Sequence, residues 1–328
     1  MQTVSLAHHA MATRFEIVLH GKNPVSLRAA GEEAFREIDR LEAQLSLYRP
    51  NSEISYVNAR AARGPVRVSP NLFALLQHAK RLSAETGGAF DITIAPLVQC
   101  WGFMGGGGKF PDAARLAGAK ANVGMHFVHL NAPDFTVQFE RDGVMLDLGA
   151  IGKGYAIEQA AEILRDAGVA SAIIHGGTST VCAIGRPSDS DSWKIGIENP
   201  QHRKDILSVR SGDKPGTVEK SLLATIPLKD EALSVSAVWG KYFQADGKTF
   251  GHVLDPRTGH PVERSLLAAV ALPGATETDA LSTALLVSGA ADHEKIFALR
   301  PGMKTLLVTG SANGIQGEAK GILLLPQP

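Results

Sequence analysis

Cysteine is nearly absent: Cys100 and Cys182 are the only two in 328 residues. Two thiols cannot build a disulfide framework, so an apolar core must hold the fold, as suits a reducing compartment. Net charge is missing too, because 33 basic residues meet 33 acidic ones. Without excess positive charge there is no field to draw in a polyanion, which sets nucleic acid aside as a partner. No apolar run approaches the roughly 18 residues of a membrane-spanning helix. The opening MQTVSLAHHAMATRFEI lacks a basic stretch, an apolar stretch after it and a lipobox cysteine. The sequence as it stands therefore predicts a cytoplasmic protein, or a periplasmic one if a leader was removed. There is no internal repeat.

What remains is an ordinary globular composition, 44% hydrophobic and 20% charged. The length suffices for a single domain built from two interlocked parts. The chain is organised around VMLDLGAIGKGYAIEQAAEILRDAGVASAIIHGG, from Val144 to Gly177. Val144–Leu148 reads as a buried strand, and Gly149, Gly152 and Gly154 then bracket Lys153. From Ala156 the apolar spacing predicts a helix that stops at Gly168, followed by a strand over Val169–Ile174. Backbone N–H groups at such a helix start attract an anion such as phosphate. Glycines there serve a tightly packed connection equally well. Lys153 is followed by Gly154, not by Ser or Thr, which excludes a Walker A loop, and the glycine spacing excludes a Rossmann fingerprint.

Elsewhere, Phe15–Leu19 reads as a first strand. Asn23-Pro24 and Ser69-Pro70 each open a helix, the second stopping at Gly87-Gly88. Strands are predicted at Trp193–Glu198, Leu222–Leu228, Leu233–Ser236, Ser265–Leu272 and Thr305–Val308, with a hairpin over Tyr242–His252 turned by Asp246-Gly247. The polar segment 200–221 reads as a mobile surface insertion. Thr276 can cap a helix over Asp279–Val287. Strands outnumber helices without regular alternation, which indicates an α+β fold.

Several residues could carry chemistry. Asp279 and Thr283 share a helix face, and a carboxylate with a hydroxyl suits Mg²⁺, though the pair also fits plain helix capping. His252 can take a proton near neutral pH, with an apparent pKa expected near ~6.5. Asp255 belongs to an Asp-Pro-x-x-Gly turn. Tyr48 either stacks on a planar ligand or packs on a helix end. Asp91 either receives ligand hydroxyls or caps the turn after Thr86-Gly-Gly.

In order, LSLYRPNSEIS, TGGAFDITIAPLVQCWGF, DLGAIGKGYAIE, HVLDPRTGHPV and TDALSTALLV resemble the serial motifs of the ApbE family, the FAD:protein FMN transferases. The resemblance runs from about Met11 to Leu286. It implies a T-fold-like α+β architecture with mixed and antiparallel sheets and FAD in a cleft between two subdomains. It further implies Mg²⁺-dependent cleavage of FAD, release of AMP, and transfer of FMN to a Ser or Thr hydroxyl of an acceptor flavoprotein. Carried over by position, Met11, Tyr48, Ala89, Phe90, Asp91, Asp147, Lys153 and Val253 would bind FAD. Mg²⁺ would take the Ala150 carbonyl, Asp279 and Thr283, and His252 would be the base. Four segments depart from the family pattern: Ala12 stands in Met11-Ala12-Thr13 for Gly, and Thr178 follows Gly-Gly in place of Asn or an acid. Val235-Ser236-Ala237-Val238 replaces Thr-Ser-Gly-Asp, and Ser282 replaces a second acid. These departures leave two alternatives in view: a Mg²⁺-dependent FAD pyrophosphatase yielding FMN and AMP, and a non-catalytic FAD carrier.

Overall fold

The computed structural model describes residues 1–200, 222–245, 247–311 and 314–324. The insertion predicted over 200–221 thus lies outside the described residues except for Pro200, and Asp246 of the hairpin turn lies outside them too. The frame is an eight-stranded sheet. It comprises, from edge to edge, β1 (Gln2–Ala10), β2 (Thr13–Gly21), β6 (Ala172–Gly176), β7 (Thr180–Ile184), β10 (Ala232–Ala237), β13 (Ser265–Leu272), β14 (Lys304–Ser311) and β15 (Gly314–Lys320). Every pairing in it is antiparallel. Smaller sheets pair β3 (Val66–Arg67), β5 (Thr136–Phe139) and β4 (Val128–Asn131); β8 (Trp193–Glu198) with β9 (Leu222–Leu228); and β11 (Tyr242–Ala245) with β12 (Lys248–Gly251).

The helices are α1 (Pro24–Leu45), α2 (Glu53–Arg60), α3 (Pro70–Glu85), α4 (Ala95–Cys100), α5 (Ala113–Lys120), α6 (Gly152–Asp166), α7 (Ala275–Ser288) and α8 (His293–Phe297). Strand β13, SLLAAVAL, has no polar alternation because it is buried on both faces. Ala268, Val270 and Leu272 join the core under the helices, whereas Leu267, Ala269 and Ala271 join a second core roofed by β8 and β9. Against the first face lie α1, α6 and α7, the last two in close mutual contact. No helix among the described residues is long and apolar enough to cross a membrane.

Local signals placed several elements well. Asn23 accepts hydrogen bonds from the Val25 and Ser26 N–H groups at 3.0 and 3.3 Å, and Pro24 fills the first helical position. Ser69-Pro70 opens α3 in the same way. Five expectations need correction. Val144–Leu148 forms no strand among the described residues: Asn58 clamps Leu146 through both amide atoms, at 2.8 and 2.9 Å, and Asp147 N–H donates to Ile92 O at 2.7 Å. The central helix begins at Gly152, not Ala156, so Lys153 and Gly154 sit in its first turn. The next strand runs over Ala172–Gly176, not Val169–Ile174. Gly274, not Thr276, is the N-cap of α7; the Thr276 hydroxyl is buried without a partner among the described residues, and Glu158 of α6 accepts from Thr276 N–H at 2.8 Å. The first strand is preceded by another, β1, which the Phe15–Leu19 pattern did not reveal.

The C-terminal half is tied to α3 through Glu277 and Arg300. Glu277 of α7 binds Arg300 at 2.9 Å and His78 of α3 at 3.0 Å, while Arg300 also reaches Glu85 at 2.6 Å. Hydrogen bonds from His78 and Arg300, outweighing desolvation, hold the Glu277 carboxyl down at about 2 against an ordinary 4.5. A depressed carboxyl stabilises the fold above its unfolded pKa and loses that stabilisation as pH falls through the folded one. Glu277→Gln should therefore cost about 1–3 kcal/mol near neutral pH. In denaturant titrations the difference from wild type should shrink as pH falls from 4.5 towards about 2. A difference independent of pH would remove the ion network as its cause.

Candidate functional site

The site gathers where the first turn of α6 meets the first two turns of α7. Gly154 permits the meeting, since a Cβ there would lie 2.3 Å from Ala275 O and 2.6 Å from Asp279 Cβ. Its N–H donates to Asp279 Oδ2 at 2.9 Å. As the third residue of α6, Gly154 carries one of the helix-start N–H groups that have no partner within the helix, and Asp279 is the partner it takes. The anion at the start of α6 is thus a side chain of the same molecule. Leu148 O takes the Gly152 N–H and Asp147 Oδ1 the Gly149 N–H, so the glycine-rich turn is not a free phosphate cradle.

Asp279 is 5% exposed. Burial pushes its carboxyl up, opposed by the Lys153 charge, the Gly154 N–H and a hydrogen bond from Thr180. Thr283, one turn on, donates to Asp279 O at 3.3 Å, and Ser236 Oγ of β10 lies 2.8 Å from Ser282 Oγ and 3.0 Å from Thr283 Oγ1. One buried carboxylate, one backbone carbonyl and one hydroxyl make a hard, incomplete oxygen set, a fit for Mg²⁺ with its remaining positions left to water and phosphate. Among the described residues, no cluster of three or more His, Cys, Asp or Glu offers an alternative metal site.

Lys153 extends to Ser179 Oγ at 2.6 Å, in the turn between β6 and β7. His252 follows β12, its Nδ1 lying 3.2 Å from Lys241 N and 3.1 Å from Lys241 O. Burial pushes the imidazole below its ordinary 6.5; the Lys241 carbonyl opposes this, and the charges of Lys241 and Lys153 add to it. Asp147 is pushed up by burial, with the Gly149 N–H and the Lys241 charge opposing. Tyr48 is 59% exposed in the loop after α1, and its phenol is raised by burial and then by the Asp147 charge. Tyr48, Asp147, Lys241, His252, Lys153 and Asp279 therefore form one electrostatically connected set.

Other expected residues play different parts. Ala89 and Phe90 are buried at 1% exposure, behind Gly87 and Gly88 at positive φ. Asp91 caps the turn: its carboxylate accepts from Thr93 N–H and Oγ–H at 2.8 and 2.6 Å, Met125 N–H at 3.1 Å and Ser83 Oγ–H at 3.3 Å. A cavity of about 400 Å³ opens beside Asp91 and Arg257, but His252, Lys153 and Asp279 do not line it. Val253 is half-buried against the main core. Met11 and Ala12 form the two-residue turn between β1 and β2, at φ +48° and +56°, a left-handed pair that usually calls for Asn-Gly. Ala12 thus keeps the backbone of the missing glycine without its conformational freedom. Sequence reasoning missed Asn58, Ser179, Gly240 and Lys241; only Ser179, two residues beyond Gly-Gly, carried a local signal.

If the α6–α7 contact needs a bare Cα, Gly154→Ala should destabilise the protein by about 1–3 kcal/mol through overpacking. It should also weaken Mg²⁺ binding, read by calorimetry in the presence of ADP. An unchanged unfolding midpoint would remove the close contact from the account.

The family model described as the ApbE family matches residues 11–307. The FAD:protein FMN transferase of Treponema pallidum is 30% identical over 322 residues, covering 93% of this chain and 84% of that protein. The crystal structure of the ApbE protein from Thermotoga maritima superposes with a TM-score of 0.83 at 27% identity, covering 98% of this chain and 97% of that one. The apo flavinyl transferase ApbE of Pseudomonas stutzeri gives 0.81 at 27% identity, covering 98% and 95%.

Proposed function

The chain belongs to the ApbE family, and from that premise we propose that it transfers FMN from FAD to a Ser or Thr hydroxyl of an acceptor protein. The carrying observation is Asp279, a carboxylate at 5% exposure held against the start of α6 by the Gly154 N–H, with the Lys153 charge beside it. A carboxylate that burial pushes towards its neutral form suits a hard cation, whose charge would offset that desolvation.

In this reading Mg²⁺, held by the Ala150 carbonyl, Asp279 and Thr283, supplies neutralisation of the pyrophosphate charge. Lys153, anchored on Ser179, adds a fixed positive charge on the same side. Tyr48 offers an exposed ring for the isoalloxazine, its phenol within reach of the Asp147 charge, and Met11 in the β1–β2 turn is assigned a further flavin contact. The main chain at Ala89-Phe90-Asp91, stiffened by the four donors on the Asp91 carboxylate, and Val253 next to His252 hold the rest of FAD. His252 takes the proton of the acceptor hydroxyl. The hydroxyl oxygen bonds to the FMN-side phosphorus as the bridging P–O bond breaks, and AMP leaves with the bridging oxygen.

Two outcomes test this. Asp279→Ala should abolish transfer of flavin to an acceptor, followed by in-gel fluorescence, while Thr283→Ala, which water can replace, should lose less. Equal activity of Asp279→Ala and wild type at limiting Mg²⁺ would sink the metal assignment. His252→Ala should lower transfer by on the order of 10²–10⁴ with FAD affinity retained. Because burial and two lysines lower the imidazole pKa from 6.5, the wild-type rate should rise with pH through a value below that, not near it as the sequence suggested. Free FMN and AMP without labelled acceptor would identify a pyrophosphatase; unchanged FAD would identify a carrier.

A further inference from the structure

A neutral imidazole carries one N–H, and only one of its two tautomers leaves Nε2 bare to accept a proton. What fixes the choice in this protein is local. His252 N–H donates to Lys241 O at 3.0 Å, which continues the β11–β12 ladder one pair past Tyr242↔Gly251. The ring then folds back over that same residue, with Nδ1 3.2 Å from Lys241 N and 3.1 Å from Lys241 O. If Nδ1 accepted from the Lys241 N–H, the proton would sit on Nε2 and the ring could not act as a base there. If Nδ1–H donates to the carbonyl, which has a second lone pair to spare, Nε2 is free.

Gly240 supplies the floor beneath the ring. A Cβ there would lie 2.7 Å from His252 Cε1, 3.2 Å from Nε2 and 3.4 Å from Nδ1. Gly240 is not at positive φ, so its backbone does not demand glycine. What glycine provides is room for the imidazole. Phe103 stands edge-on at 6.5 Å on another side.

We infer that Gly240 and the Lys241 peptide are the positioning element of His252, holding it as the Nδ1–H tautomer with Nε2 turned to the acceptor hydroxyl. The inference rests on His252 being the base. Two cations face the ring, Lys241 from its own hairpin and Lys153 from α6, and both favour the neutral form. Asp147, within reach of the Lys241 charge, is the acidic group on that side.

The decisive measurement is the ¹⁵N spectrum of His252 in the whole protein with ¹⁵N-labelled histidine, assigned by comparison with His252→Ala. Protonated Nδ1 and bare Nε2 at a pH where the ring is neutral are expected; protonated Nε2 would overturn the inference. Gly240→Ala should fold with an unchanged unfolding midpoint and bind FAD as before, yet shift the His252 signals and slow transfer by on the order of 10²-fold, the scale of a misplaced catalytic group. Unchanged signals and rate would equally overturn it. Lys241→Gln removes a charge that lowers the imidazole pKa, so the acidic limb of the pH–rate profile should move to higher pH, and Lys241→Arg should restore it; an unmoved limb would leave Lys241 no electrostatic part. Should His252→Ala transfer at the wild-type rate, the base assignment itself fails. Should it be inactive while wild type shows protonated Nε2, the assignment stands and the positioning by Lys241 falls.

Discussion

The bond from Gly154 N–H to Asp279 governs the arrangement around it. A carboxylate at 5% exposure is pushed towards its neutral form unless donors and positive charge hold it ionised. The start of α6 provides both, through an N–H at the positive end of the helix dipole and through Lys153. Gaining that N–H brings α7 so near that no side chain fits at residue 154. One hydrogen bond therefore couples the packing of two helices to the charge of a buried carboxylate.

Around it, the sheet changes character. Where α7 crosses β7 and β10, the facing side chains are hydroxyls, not hydrocarbons: Ser234 Oγ lies 3.3 Å from Thr180 Oγ1 and 3.0 Å from Thr278 Oγ1, and Ser236 reaches Ser282 and Thr283. A few positions away, Ala268, Val270 and Leu272 return to the apolar core. Across the site the charged groups are acidic at Asp147, basic at Lys241 and Lys153, and acidic again at Asp279, with the imidazole among the cations. That order lowers the imidazole pKa and favours its neutral form.

Much of this was legible where the cause is local. Asn23-Pro24 and Ser69-Pro70 announce helix starts because the capping side chain and the fixed proline φ act within one turn. SLLAAVAL announces a strand buried on both faces. Val144–Leu148 had the composition of a strand, but its partners are an amide from α2 and a carbonyl at Ile92, which no periodicity encodes. β1 was hidden because, as an edge strand, it mixes exposed histidine and serine into its pattern. At the site, motif order identified the residue types, whereas their parts depended on pairings across the chain. Asp91 is open in the sequence between ligand and cap, and the structure adds four donors on its carboxylate; Lys241 carries no signal at all until His252 is found above its peptide.

The sequence distance across the central bond has a consequence for how the protein is made. Gly154 and Asp279 are 125 residues apart. A ribosome that has released β6 and β7 has produced Lys153 and the glycine-rich turn, yet not Asp279. With α7 still in the exit tunnel, the Gly154 N–H at the start of α6 has only water to bond. The seam between α6 and α7 therefore closes only after nearly all of the chain has emerged.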